Sequence, residues 1–130
     1  MTREAFIKVL DYNGYSYEKK GNKIVVTHKN AIMLLNDLVS IPSDVEFNTE
    51  DNLYLYGLKD LPSGVIFNND GNIVLDSLKS ISPGVAFNNS GDIRLESLTG
   101  CWFWEWNGNI DGIDEKRLLN KMISLGLFER

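Results

Sequence analysis

Paired carboxylates are the one pattern in this sequence that matches acid–base catalysis. Asp76 and Glu96 stand twenty residues apart, at the same offset of an internal repeat described below. Stacking of successive repeats would bring the two side chains to about 5 Å from one another, the separation that retaining glycosidases use. The neighbouring repeat carries Tyr56 at this offset instead, and an outward pair of this kind is ordinarily a solvated face. We therefore predict that the pair is not catalytic.

The single histidine, His28, and the single cysteine, Cys101, offer no second route to catalysis. A thiolate–imidazole pair requires the two side chains to meet, whereas the order of the repeats places them at opposite ends of the fold. We interpret them as a strand-edge histidine and a small buried apolar side chain. The sequence also lacks a set of zinc ligands, a phosphate-binding glycine loop and a nucleophile-elbow motif. The prediction is a protein without enzymatic activity, cofactor or metal.

A row of tryptophans is a stronger candidate for binding. Trp102, Trp104 and Trp106 alternate along CWFWEW, so a strand there would place all three on one face. Such rows stack on sugars or fill a partner's groove. The alternative is that they seal the last repeat against the C-terminal helix. Tyr56 joins the candidate binding residues if it points outward.

Acidic side chains form a third candidate surface. The net charge is −5, and residues 41–100 hold nine acids against three bases, a local charge of 3 − 9 = −6. Rows of carboxylates would mimic a phosphate backbone and attract a basic nucleic-acid-binding protein, with strong salt dependence; the alternative is a surface that only keeps the protein in solution. Direct nucleic-acid binding and a membrane patch are not expected from this charge. The candidate acidic residues are Glu46, Glu50, Asp51, Asp70, Asp76, Asp92 and Glu96.

An internal repeat positions all of these residues. Residues 41–100 divide into three units, IPSDVEFNTEDNLYLYGLKD, LPSGVIFNNDGNIVLDSLKS and ISPGVAFNNSGDIRLESLTG. A fixed period of this length indicates a solenoid. Within each unit Val-x-Phe and Ile-x-Leu are two short strands, and Asn-Asn-x-Gly is a tight corner that we attribute to positive φ. Two strands and three corners per unit predict a short parallel β-solenoid, and stacked Asn48, Asn68 and Asn88 predict an amide ladder.

The flanking segments are predicted to cap the two ends of this solenoid. Residues 1–28 read as a helix followed by a hairpin, and residues 21–40 align without a gap as a degenerate coil, with Val25 beneath Val65. Residues 101–130 read as a tryptophan-rich strand and a helix. We expect Asp114 to be the N-cap of that helix and Gly126 to end it. Its expected apolar stripe is Leu118, Leu119, Met122, Ile123 and Leu125.

The whole chain is predicted to be one mainly β domain in the cytoplasm. Its 130 residues suit a single domain. No apolar run is long enough to span a bilayer, and no signal peptide is recognisable. One lone cysteine fits a reducing compartment. The oligomeric state stays open.

The unit LPSGVIFNNDGNIVLDSLKS resembles the repeat LPxGVxFNNxGxIxLxSLxS of uncharacterised bacterial and phage-encoded proteins. Residues 41–100 carry the resemblance. It implies a non-catalytic, leucine-rich-like β-solenoid scaffold of mobile elements and prophages, and it transfers no site residues. The predicted function is protein binding, in the manner of a phage-encoded inhibitor of bacterial defence such as an anti-CRISPR protein. The alternatives are carbohydrate binding through the tryptophans and a structural, self-associating element.

Overall fold

The computed structural model describes residues 1–28, 33–95, 109–110 and 113–126. A helix lies at each end and short strands lie between them. In chain order the elements are α1 (Arg3–Asn13), β1 (Tyr17–Lys20), β2 (Lys23–Val26), β3 (Met33–Leu34), β4 (Val45–Phe47), β5 (Leu53–Tyr54), β6 (Asp60–Leu61), β7 (Ile66–Phe67), β8 (Ile73–Val74), β9 (Ser80–Ile81), β10 (Ala86–Phe87), β11 (Ile93–Arg94), β12 (Asn109–Ile110) and α2 (Ile113–Ser124).

Three sheets form the sides of a parallel β-solenoid. The first has the order β1-β2-β4-β7-β10, the second β12-β11-β8-β5-β3, and the third contains β6 and β9. All pairings are parallel except those of β1 and β12, which close one edge each in antiparallel fashion. The predicted class, a mainly β chain built on a short parallel solenoid with a helix before and after it, is confirmed.

Two successive coils begin with a third strand, β6 and β9, that the sequence pattern did not show. Asp60 pairs with Ser80 and Leu61 with Ile81 in parallel register. We predicted only two strands in each coil, because a two-residue strand flanked by polar residues leaves no alternation to read. The coil is therefore three-sided.

The predicted inward positions form the core. Phe47, Phe67 and Phe87 stack at 5.2 and 4.9 Å between ring centroids, with planes 6° and 4° apart. The other repeated apolar side chains between residues 41 and 95 that were predicted to point inward are at most 4% exposed. Stacking of identical rings at the coil spacing makes one continuous apolar column. The other repeated positions in that column are Ile41/Leu61/Ile81, Val45/Val65/Val85, Leu53/Ile73/Ile93, Leu55/Leu75/Leu95 and Leu58/Leu78.

The register of the first coil differs from the prediction by one residue. Ile24 lies beside Val45 and Val26 beside Phe47, so the inward residue is Ile24, and the expected match of Val25 to Val65 is wrong. On the next side of the coil Met33 pairs with Leu53, at the usual separation of twenty. The connection between these two sides is therefore one residue longer than in later coils. A gapless alignment could not detect that insertion.

The glycine of the Asn-Asn-x-Gly corner has a different role from the one predicted. Gly71 and Gly91 are not among the glycines with positive φ, which include Gly64 and Gly84 at the preceding corner. A Cβ added to Gly91 would lie 2.6 Å from the carbonyl carbon of Gly71. These glycines are required because successive coils approach closely at this corner, so our explanation by positive φ was wrong.

The N-terminal segment caps the first coil as predicted. The hydroxyl of Thr2 accepts a hydrogen bond from the amide of Ala5 at 3.1 Å, and Gly14 ends α1 at φ 72°. Phe6 and Leu10 are buried against the core. The hairpin of β1 and β2 then covers the open edge of the first sheet.

The C-terminal helix covers the other end, with a narrower apolar stripe than predicted. Leu119, Met122 and Ile123 are buried, whereas Leu118 and Leu125 are 41% and 62% exposed, so those two predicted core positions were wrong. The helix begins at Ile113, which places Asp114 inside it and not at the N-cap. Gly126 ends the helix with φ 72°.

Candidate functional site

An asparagine ladder runs along the outside of the first sheet, as predicted. The side-chain amide of Asn88 donates to Asn68 Oδ1 at 3.3 Å, and that of Asn68 donates to Asn48 Oδ1 at 3.1 Å. Asn48 donates in turn to Glu46 Oε2 at 2.7 Å. The amides therefore point the same way and end on a carboxylate, an arrangement in which each hydrogen bond polarises the next.

A second ladder fixes the polar corner that connects the first and second sheets. Asn52 Oδ1 accepts from the backbone amide of Asn72, and Asn72 Oδ1 accepts from that of Asp92, both at 2.8 Å. Inside the same corner Asn89 donates to the carbonyls of Gly71 and Gly91 at 3.0 Å. The corner is held by side chains at every coil, and its geometry repeats at the coil spacing of about 4.8 Å.

Four of the predicted acidic residues meet on this corner, which we call the acidic corner: Glu50, Asp51, Asp70 and Asp92. Three of these side chains are exposed, and Asp51 is half-buried. Asp70 stands one coil beyond Glu50, since its amide donates to the carbonyl of Thr49 at 2.9 Å. Ser90, one coil further, donates to Asp70 Oδ1 at 2.6 Å. No lysine or arginine occurs in the corner segments 48–52, 68–72 and 88–92, so these segments themselves carry negative charge. At the last of them, Lys116 Nζ of the C-terminal helix reaches Asn89 O.

Two other predicted acidic residues lie elsewhere and are engaged within the protein. Glu46 accepts from Lys23 Nζ at 3.4 Å as well as from Asn48. Asp76 receives two hydrogen bonds from Arg94, at 2.9 Å from Nε and 2.5 Å from Nη2. Bidentate pairing of this kind neutralises the carboxylate. Neither residue joins the acidic corner.

The aromatic candidates are only partly within the described chain. Tyr56 points outward, is 37% exposed and stacks on Tyr54 at 5.9 Å between ring centroids. Trp102, Trp104 and Trp106 lie outside the described residues, as does Glu96. The tryptophan face and the Asp76–Glu96 pair therefore stay predictions.

Helix α2 covers the last strand of the first sheet, β10, and its side chains make the hydrogen bonds that a further strand would make. In the parallel sheet each Val-x-Phe carbonyl accepts from the next coil, as Phe67 O does from Asn88 N at 2.7 Å. On β10 the side chain of Asn120 takes that role, donating to Phe87 O at 3.0 Å and accepting from Phe87 N at 2.8 Å. Lys116 Nζ donates to Asn89 O at 2.6 Å and is buried. Three backbone groups are thus satisfied by two side chains.

A cleft of about 460 Å³ remains between α2 and this last coil. Asn88 and Ser90 line it from the coil, and Lys116, Arg117 and Asn120 line it from the helix. The roles of Asn120 and Lys116 were not predicted from the sequence. A signal was present, because Asn120 and Lys116 are one helical turn apart on the side that carries Leu119 and Ile123, where a polar residue needs a buried partner.

Metal and membrane features are not evident in the described part of the chain. Among residues 1–28, 33–95, 109–110 and 113–126, no group of three or more histidine, cysteine or acidic side chains is placed to hold a metal ion. Neither helix described there has the length and apolar character that crossing a bilayer requires.

Comparison of the chain with models of known families, with curated proteins and with solved structures finds no match.

Proposed function

We propose that the chain is a non-catalytic binding module whose acidic corner docks on a basic surface of another protein. The observation that carries this proposal is the exposure of Glu50, Asp70 and Asp92 on three successive coils of one corner. Asp70 lies directly one coil beyond Glu50, and Asp92 lies two residues after Ser90, the residue that follows Asp70 by one coil. Carboxylates carried on a corner that is fixed by hydrogen bonds are preorganised, so binding them costs little ordering of the backbone.

The charge of the corner favours a partner that normally binds nucleic acid. Such a partner presents lysines and arginines along a groove, and rows of carboxylates replace the phosphates that the groove attracts. Occupation of the groove would block access of the nucleic acid, so the proposed activity is inhibition by competition. The resemblance of the repeat to phage-encoded proteins supports bacterial defence machinery as the setting.

The proposal distinguishes the acidic corner from the other acidic residues. Glu46 and Asp76 are paired with Lys23 and Arg94, so their charges are largely cancelled at a distance. Asp37 and Asp60 are exposed but lie on other sides of the coils. The corner combines exposed carboxylates on three successive coils with segments that contain no lysine or arginine.

Titration with a decalysine peptide tests the site directly. The double variant Glu50→Gln/Asp70→Asn removes two corner charges and preserves hydrogen-bonding capacity. The matched control Asp37→Asn/Asp60→Asn removes the same net charge elsewhere. We expect about tenfold weaker binding and a smaller salt dependence for the corner variant, and less than about twofold change for the control.

Equal losses in the two double variants would show that net charge alone attracts the peptide, and the proposed corner would be wrong. The partner itself is sought by capture on immobilised wild-type protein and both variants. A protein that is retained by the control, lost with the corner variant and displaced by duplex DNA fits the proposal. A partner that both variants retain contradicts it.

A further inference from the structure

The edge of β10 is the one uncharged sheet edge that α2 keeps covered. At the opposite end of the same sheet, β1 presents exposed Glu18, Lys19 and Lys20, and charged side chains protect an edge strand against pairing. The segment from Ala86 to Ser90 carries no charge. Protection of that edge depends on α2.

We propose that α2 holds closed a self-association site, and that a second copy of this chain pairs its β10 with this β10 once α2 is displaced. Both the N–H and the C=O of Phe87 point to the edge, because Asn120 binds both. In an antiparallel sheet two opposite residues of this kind exchange both hydrogen bonds. A two-fold axis at Phe87 therefore lets the two copies satisfy each other with the groups that Asn120 satisfies now.

A second copy fits this edge better than an unrelated strand. The ring of Phe87 is the last of the described phenylalanine column and stacks on Phe67 at 4.9 Å. In a two-fold pair the inward-facing side chains of β10 would lie beside the inward-facing side chains of β10 in the second copy, so the two apolar faces would join. The uncharged edges also face each other without repulsion.

The cap is built so that it can be displaced. Asn120 and Lys116 supply three hydrogen bonds to β10 and its continuation, and the buried contacts of the helix come mainly from Leu119, Met122 and Ile123. The cleft of about 460 Å³ beside Asn88 and Ser90 shows that the helix does not cover the edge completely. A terminal helix that packs on one coil is expected to open before the coils, which contact a neighbour on each side.

The full-length variant Asn120→Leu tests the proposal, with Lys121→Leu as its control. Leucine at position 120 has a side chain of similar size but no polar group, so it cannot hydrogen-bond to Phe87. Lys121 is exposed on the same helix, so its replacement adds the same apolar group without freeing the edge. Light scattering after size-exclusion chromatography should show about tenfold stronger self-association for Asn120→Leu than for wild type, and no change for Lys121→Leu.

Amide hydrogen exchange at Phe87 identifies the contact. In Asn120→Leu this amide should exchange fast at low protein concentration and become protected as dimers form. Should that variant not fold, as judged by circular dichroism, Lys116→Met removes the hydrogen bond to Asn89 O, leaves both groups of Phe87 bound, and should give a smaller, parallel effect. A folded variant that stays monomeric overturns the proposal. Dimers with an unprotected Phe87 amide, equal association of Lys121→Leu, or a wild type that already associates as strongly overturn it as well.

Discussion

Asn120 binds Phe87 through both backbone groups, accepting from its N–H at 2.8 Å and donating to its C=O at 3.0 Å. We predict that Asn120→Ala lowers the free energy of unfolding by about 2 kcal/mol, because two hydrogen bonds are lost and both backbone groups are left without a partner. Urea denaturation measures this change. Ser124→Ala, which removes an exposed hydroxyl bound only to Lys121 O, should cost no more than about 0.5 kcal/mol. Equal costs would show that the two hydrogen bonds between Asn120 and Phe87 do not stabilise the end of the sheet.

The middle ring of the phenylalanine column should be the most sensitive core position. Phe67 is fully buried between Phe47 and Phe87, and Phe67→Ala should cost about 3–5 kcal/mol of unfolding free energy. Its neighbour Ile66 lies on the outer face and is only half-buried, so Ile66→Ser should cost less than about 1 kcal/mol. Thermal unfolding of the two variants compares them. A similar cost for both would contradict the assignment of inner and outer faces.

The close approach of coils at the Asn-Asn-x-Gly corner predicts a severe effect of a single methyl group. In Gly91→Ala the new Cβ would lie 2.7 Å from the carbonyl oxygen of Gly71 and would also overlap Asn72 Oδ1. Backbone must shift, and we expect a loss of about 3 kcal/mol. Gly21→Ala serves as the control, since Gly21 has φ 62° but open space around it, and should cost about 1 kcal/mol. Chemical denaturation that ranks Gly21→Ala as the worse variant would refute the steric explanation.

A tyrosine of the N-terminal hairpin should make stability fall in alkaline solution. A hydrogen bond from Tyr17 to Asp11, with smaller contributions from burial and the charge of Asp11, raises the pKa of the Tyr17 phenol above 10.0. The folded state therefore holds this proton more tightly than the unfolded state does. Stabilisation is complete below pH about 10 and disappears as the pH rises through the folded-state pKa.

The variant Tyr17→Phe removes this contribution and its pH dependence. Denaturant midpoints measured from pH 8 to pH 12 should converge for wild type and Tyr17→Phe at the alkaline end. Tyr12→Phe, a change at a ring that is 91% exposed, should follow the wild-type curve. A constant difference between Tyr17→Phe and wild type across this range would exclude the linkage.

The inward face of the solenoid could be predicted because its signal is local and repeated. Val45, Phe47 and Leu53 recur at the same offsets in the next two units, and a shift of one residue would expose all of them. The first coil shows the limit of this argument. Its extra residue between Val26 and Met33 changes the register without changing the apolar composition, so only the strand pairing reveals it.

The residues of the candidate site could be predicted from the sequence, but the contacts that their side chains make within the protein could not. Glu50 and Asp70 could be placed one coil apart by counting twenty residues, and they do lie on one corner. The ion pair between Asp76 and Arg94 depends on the side-chain conformations of two residues at different offsets in neighbouring coils. The repeat period does not determine these conformations. The hydrogen bonds between Asn120 and Phe87 join residues thirty-three positions apart. Asn120 lies outside the repeat, so the repeat could not predict this contact.

Stacking by coils also has a consequence for how such a chain can change in length. Each interior coil contacts the coil before it and the coil after it, while the two ends are closed by segments that do not repeat. An in-frame duplication of one unit would therefore insert a complete coil, lengthen the body by about 4.8 Å and leave both terminal closures intact. The length of the polar corner is thus set by the number of repeat units, and a duplication or deletion of one unit would change it in whole coils.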